Sequence, residues 1–304
     1  MPGTFKNLSK CWKRVRRSKS RGNSSILNSN LMDNLIKEVI LGKDHQAQRE
    51  VYSGSFASQH IAWGTSVGAT MKPNEDAVGV SVLGAEVVLA VADGHWGRDA
   101  SEIAVSKAVE LLNPNARSSK DSETRARLFA LFDQVNTELY DLATSSPGAS
   151  ASETTLIVCH VKETPWGKYL YWSSFGDSYL FLLRNGELKQ LNSLHQFWLG
   201  YLSRLSESAS SKSILMRFLS EEARYVGVAS GLETGIETLE PDDLIFLCTD
   251  GLIGSDYEPA QAILDELRTI LISNLSVKSK VEKMIASGLS RGEQDNISCV
   301  LARI

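Results

Sequence analysis

Residues 87–97 read Val-Val-Leu-Ala-Val-Ala-Asp-Gly-His-Trp-Gly: six apolar residues run into an acidic turn, a histidine and an indole. Such a β-branched and small apolar run, ended by Asp-Gly, predicts a buried strand leaving the core at a tight turn. The Asp93 carboxylate then sits at the mouth of the core, where a charge needs a partner. Alone, Asp-Gly after a strand signals only a turn. Residues 245–252, Ile-Phe-Leu-Cys-Thr-Asp-Gly-Leu, repeat the arrangement far along the chain.

Two further acidic groups flank predicted strands. Asn74-Glu75-Asp76 precedes the apolar run 77–82, and Asp295-Asn296 precedes the run 297–304. Asp76, Asp93, Asp250 and Asp295 therefore each stand at a strand end. If the strands lie side by side, their ends converge. Carboxylates gathered in a low-dielectric setting repel one another, and a divalent cation relieves the repulsion. The donors are oxygens, with no Cys/His set at zinc spacing, which selects a hard cation such as Mg²⁺ or Mn²⁺. The glycine after Asp93 and after Asp250 permits close backbone approach, and a glycine carbonyl is itself a ligand. His95, two residues past Asp93, is placed as a proton donor.

Around these stretches the chain alternates in blocks. Strands are expected at 61–66, 77–82 and 87–92. Helices follow at 98–112, stopped by Asn113-Pro114, and at 122–144, before a loop over 145–151. Strands recur at 154–161, 168–175, 178–184 and 187–191, with Asn185-Gly186 as a hairpin turn. Residues 194–222 form an inserted excursion with a Ser-rich gap. Strands at 235–239 and 243–248, helices at 260–271 and 277–290, and a last strand at 297–304 complete the order. The elements do not alternate βαβα, so the expected class is α+β, with antiparallel sheets whose outer faces are covered by two helix pairs. Residues 31–41 carry apolar residues at helical spacing and predict a short helix, followed by a linker over 42–55. The expected organisation is a basic, disordered arm over 1–30, the helix and linker over 31–55, and one domain over 56–304.

Charge sharpens the division. Lys6, Lys10, Lys13, Arg14, Arg16, Arg17, Lys19 and Arg21 fall in the first 22 residues, which contain no acid. Of the 32 basic residues, 24 remain against 36 acidic ones, so the rest of the chain has a net charge of −12. That reads as a solvated arm on an acidic body. An acidic body lacks the basic face that nucleic acid requires, so no specific nucleic-acid site is expected. Cys11, Cys159, Cys248 and Cys299 form no C-x-x-C pair, which predicts free thiols and a reducing, cytoplasmic setting. No window approaches a membrane span, and no apolar segment of the secretory type follows the basic start.

Taken in order, NED, DGHWG, GDS, TDGL and DNIS resemble the metal-dependent protein phosphatases of the 2C type over residues 56–304. The resemblance implies a four-layer α-β-β-α sandwich of two antiparallel sheets flanked by helix pairs. It implies hydrolysis of phosphoserine and phosphothreonine in proteins by a water between two metals, Mg²⁺ or Mn²⁺, without a phosphoenzyme. Asp93 would bridge the metals, the Gly94 carbonyl would bind one, and Asp250 and Asp295 would complete the other. Glu75 and Asp76 match the Glu-Asp pair that holds metal-bound waters. Asp177 matches the residue supporting a weaker third metal, and His95 matches the general acid. The implied partner is a phosphorylated protein, with the basic arm contacting an acidic partner or surface.

The chain departs from that pattern at several places. Met71 stands where the family carries an arginine that grips phosphate, and a thioether offers no charge. Lys72 and Arg98 are the candidates to substitute. Trp96 replaces a small residue, and Ser152-Glu153-Thr154-Thr155 stands where a Gly-Ser/Cys-Thr-Ala-like run is common. Tyr179 takes a position where arginine is common, and the excursion at 194–222 occupies the place of a variable flap. Met71 motivates an alternative: a catalytically weak member that binds phosphoproteins or regulates.

Overall fold

The computed structural model describes residues 35–41, 52–56, 60–69, 73–112, 121–145, 152–194, 232–254 and 260–304. The basic arm, Met71, Lys72, Asn113-Pro114, the loop over 146–151 and the excursion beyond Leu194 lie outside them.

Strands that are apolar and buried on both faces build two sheets, each antiparallel throughout. The first runs in the order β1 (Leu35–Leu41), β4 (Ala77–Leu83), β5 (Glu86–Ala92), β8 (Leu156–Thr164), β9 (Gly167–Phe175), β12 (Leu232–Leu239). The second runs β11 (Glu187–Gln190), β10 (Tyr179–Arg184), β13 (Leu244–Cys248), β14 (Ile297–Arg303), β3 (Ile61–Ser66), β2 (Tyr52–Phe56). A two-residue ladder joins β6 (Gly94–His95) to β7 (Glu153–Thr154). Asn185 and Gly186 both have positive φ, at +51° and +80°, as the tight β10–β11 hairpin requires.

The period of two sorts side chains into three apolar layers. Val78, Val80, Leu89, Val91, Ile157 and Cys159 from the first sheet meet Ile61, Leu180, Ile245, Leu247 and Val300 from the second. Their neighbours Ala77, Val88, Ala90, Leu156 and Val158 face the other way, onto α1 (Asp99–Leu111) and α2 (Asp121–Ser145). Phe246, Cys248, Cys299 and Leu301 likewise pack on α3 (Gln261–Ile272) and α4 (Val277–Ser290). The result is the four-layer α-β-β-α sandwich. Gly79 lets α1 lie close on β4, since a β-carbon there would stand 2.6 Å from Val105.

Two expectations about the start of the fold are corrected. Residues 35–41, expected as helix, form β1, which pairs with β4 over seven positions from Leu35↔Leu83 to Leu41↔Ala77. Ile36, Val39 and Ile40 are β-branched, and an edge of unpaired backbone groups on β4 recruits them. Residues 52–56, expected as linker, form β2 against β3. The compact unit accordingly begins at Leu35, not at residue 56.

Candidate active site

Backbone register brings the acidic strand ends together. Ala77 pairs with Ala92, so Asp76 entering β4 and Asp93 leaving β5 stand at the same end of the first sheet. Cys248 pairs with Cys299, so Asp250 and Asp295 stand at one end of the second. Asp250 opens a single 3-10 turn, Asp250–Leu252. A hydrogen bond ties the two sheets there: Thr249 Oγ1 donates to Asp76 Oδ2 at 3.0 Å. Asp177 joins from the connection between β9 and β10.

Burial and mutual repulsion set the protonation of this cluster. Asp76 is pushed up to about 8, first by burial and then by Asp295 and Asp250, against hydrogen bonds from Ser298 and Thr249. Asp93 is held well above the ordinary carboxylate range by burial, by Asp76 and Asp250, and by a side-chain hydrogen bond shared with Asp250. Asp250 rises to about 6, through burial and then the charge of Asp177. One oxygen of Asp76 and one of Asp250 are buried without a hydrogen-bond partner. Burying an anionic oxygen unsatisfied is expensive. Among the described residues no three acidic, His or Cys side chains already close on one point as a coordination shell. The coupling among the carboxyls and the two orphaned oxygens are what fit a hard divalent cation.

Hydroxyl and amide side chains hold the acids in place. Thr155 Oγ1 accepts the Asp93 N–H at 3.0 Å and shares a hydrogen bond with Ser178 Oγ at 2.7 Å. Thr154 Oγ1 and the Thr155 N–H both donate to the Asp93 carbonyl, at 2.7 and 2.9 Å. Asn74 Oδ1 accepts from the Asp76 N–H at 3.1 Å, while its amide donates to Thr65 Oγ1 at 2.6 Å. Thr65 in turn meets Ser298 Oγ at 2.8 Å. Asn296 Oδ1 accepts from the Glu75 N–H at 2.7 Å, and the Asn296 N–H donates to Asp295 Oδ1 at 2.8 Å. The glycines are fitted just as closely. A β-carbon on Gly94 would lie 2.2 Å from the Glu75 carbonyl oxygen, and one on Gly251 would lie 2.0 Å from that of Asn296.

His95 lies beside the cluster, its Nδ1 3.7 Å from Asp93 Oδ1 and its side chain 34% exposed. The ladder sets it opposite buried Glu153. Glu75 is placed through its backbone: its carbonyl accepts from Ser101 Oγ, and its N–H is held by Asn296. Arg98 occupies the N-cap of α1 and pairs with Glu102 at 3.6 Å. Lys72 and Met71 fall outside the described residues. Trp96 is 71% exposed and does not pack as a core residue. The supporting residues Thr155, Ser178, Thr249, Ser298 and Asn74 are not among the site residues expected from the sequence. Their signal is polar residues bordering strands whose other residues are apolar. Cys159, Cys248 and Cys299 are buried free thiols, as expected; Cys11 lies outside the described residues. Among the described residues no helix is long and apolar enough to cross a membrane.

Fold and site together describe a two-sheet sandwich with an acidic centre at the sheet ends that suits a hard divalent cation. The profile of the family described as Protein phosphatase 2C matches residues 63–301, and the chain belongs to that family of protein serine/threonine phosphatases. It is 27% identical over 254 residues to the serine/threonine phosphatase stp of Listeria monocytogenes, covering 80% of this chain and 94% of the relative. Among solved structures, the S. agalactiae serine/threonine phosphatase superposes with a TM-score of 0.56 at 21% identity, covering 82% of this chain and 98% of that one. The catalytic domain of the serine/threonine protein phosphatase PstP, in complex with two manganese ions, gives 0.58 at 21% identity, covering 84% and 99%.

Proposed function

We propose that the chain hydrolyses phosphoserine and phosphothreonine in proteins at the acidic centre formed by Asp76, Asp93, Asp250 and Asp295. The observation that carries this reading is the convergence of these acidic strand ends, tied across the sheets by Thr249 and Asp76, with one buried oxygen of Asp76 and one of Asp250 left without a hydrogen-bond partner. Asp93, the Gly94 carbonyl, Asp250 and Asp295 would hold two divalent cations. Glu75 and Asp76 would hold their waters, and Asp177 would support a weaker third ion beside Asp250. When bound, Mg²⁺ or Mn²⁺ supplies acidified water and neutralises charge developing on the phosphoryl group.

The chain's own groups do the rest. Burial and the charges of Asp76 and Asp250 make Asp93 hold its proton more tightly than an ordinary carboxyl, so a cation held there would compete with that proton. His95 turns Nδ1 toward Asp93, which leaves Nε2 to give its proton to the departing serine or threonine oxygen. The network of Thr155, Ser178 and Thr249 fixes the acids so that no reorganisation is needed during reaction. Arg98 would hold the substrate phosphate by exchanging Glu102 for it, and Lys72, next to Met71 in sequence, is the other candidate. Met71 favours the second reading, a weak catalyst that binds phosphoproteins, because a charged phosphate grip is lost there. The basic residues of the first 22 would contact an acidic partner or surface.

Phosphate release from a phosphothreonine peptide in Mn²⁺, compared with EDTA and with Asp93→Asn, tests the reading. Turnover in Mn²⁺ is expected to fall by about 100-fold or more in the variant, the scale of several kcal/mol of charge stabilisation. Turnover that survives EDTA, or an unimpaired variant, refutes the metal-dependent reading. Absence of turnover at saturating peptide, with binding retained, supports the phosphoprotein-binding alternative.

A further inference from the structure

We propose that Trp96 selects the substrate: its indole is a platform for a lysine or arginine that flanks the phosphorylated residue. The backbone on both sides of Trp96 is fastened. His95 is held by the β6–β7 ladder, and the Gly97 carbonyl accepts from Ser152 Oγ at 2.5 Å, while Ser152 also accepts from the Ala100 N–H. Between these anchors Trp96 adopts φ +62°, a conformation that costs an L-residue steric strain and that glycine adopts freely. The residue is 71% exposed. Folding stability alone disfavours both features at one position, and strained backbone beside a reactive group is a pointer to function. An aromatic held rigidly loses little freedom when it stacks on a ligand.

Charge chooses the ligand. Trp96 follows His95 directly and precedes exposed Asp99 by three residues, with Arg98 between them paired to Glu102 at 3.6 Å, on a body whose net charge beyond residue 22 is −12. That field draws cationic groups, and indole is the strongest aromatic acceptor for a cation. An apolar flanking residue would gain nothing from the acidic surroundings. Consecutive Cα atoms lie about 3.8 Å apart, so with the phosphoryl group at His95 the indole reaches a residue next to the phosphorylated one. The inference rests on the phosphatase reading only for the placement of the phosphorylated residue.

The test is a set of phosphothreonine peptides identical except for Arg, Leu or Ala beside the phosphothreonine. They are assayed in Mn²⁺ with wild type, Trp96→Ala, Trp96→Gly and Trp96→Phe. Wild type is expected to prefer the Arg peptide over the Ala peptide in kcat/KM by about 5- to 10-fold, through KM. That ratio should fall to near one in Trp96→Ala and Trp96→Gly and be partly kept in Trp96→Phe. The glycine variant relieves the positive φ, so it stays folded even if alanine does not. A ratio unchanged in Trp96→Gly overturns the proposal, and so does a wild-type preference for the Leu peptide. Should wild type turn over no peptide, the phosphatase reading fails. The same ratios are then read from peptide Kd, where an Arg preference lost in Trp96→Gly upholds the platform and an unchanged one removes it.

Discussion

At the scale of single residues, the centre is defined by what its acids do to one another. Asp76 lies buried with its titration pushed up to about 8, and Asp250 rises to about 6. A carboxyl whose value is raised on folding binds its proton more tightly in the folded chain. Its contribution to stability is therefore complete below the ordinary value near 4 and is lost as pH rises through the folded value. In EDTA, Asp76→Asn, a neutral stand-in for the protonated acid, is expected to melt increasingly above wild type as pH rises from 5 to 8.5. A difference in Tm that stays constant over that range would show that Asp76 is not strained by charge. Neighbouring residues make this tolerable: Thr249 and Ser298 each give Asp76 a hydrogen bond, so the acid is oriented even while its charge is opposed.

At the scale of elements, the site depends on strand ends and on the short loops that join them. The β6–β7 ladder holds Gly94 and His95, and Thr155 beyond it carries the Asp93 N–H and the Ser178 hydroxyl. Thr155→Val keeps shape and removes both partners. It is expected to destabilise the fold by about 1–3 kcal/mol and to lower turnover, measured by denaturant unfolding and phosphate release on the same sample. Unchanged stability with unchanged turnover would remove Thr155 from the support of Asp93. Much at this scale was legible in advance. The runs ending at Asp93 and Asp250 announced buried strands, because a continuous apolar run stopped at Asp-Gly in both. Residues 35–41 did not announce themselves. Their apolar spacing satisfies a helix as well as a strand, and only pairing with the β4 edge, a contact distant in sequence, separates the two. The hydroxyl network was equally hidden. Thr249 to Asp76 spans 173 residues, and no local pattern marks such a pair.

At the scale of the whole molecule, the acids come from both sheets: Asp76 and Asp93 from one, Asp250 and Asp295 from the other. The apolar layer between the sheets fixes their separation, and that is how four residues spread from 76 to 295 reach one place. The order of strand and helix blocks was enough to exclude a parallel doubly wound sheet and to foresee helices on the outer faces. Strand order within each sheet was not legible, since pairing among six strands leaves many arrangements of equal pattern. On this account the shared sheet end binds divalent cations in competition with the protons of its carboxyls. Calorimetric titration of Mn²⁺ into the full chain, in buffers of different ionisation enthalpy at pH 6.5 and 8.5, tests it most directly. Wild type is expected to bind Mn²⁺ and to release more protons at pH 6.5 than at 8.5, and Asp93→Asn is expected to lose most of the binding. Mn²⁺ binding without proton release, or equal binding by Asp93→Asn, would contradict the claim.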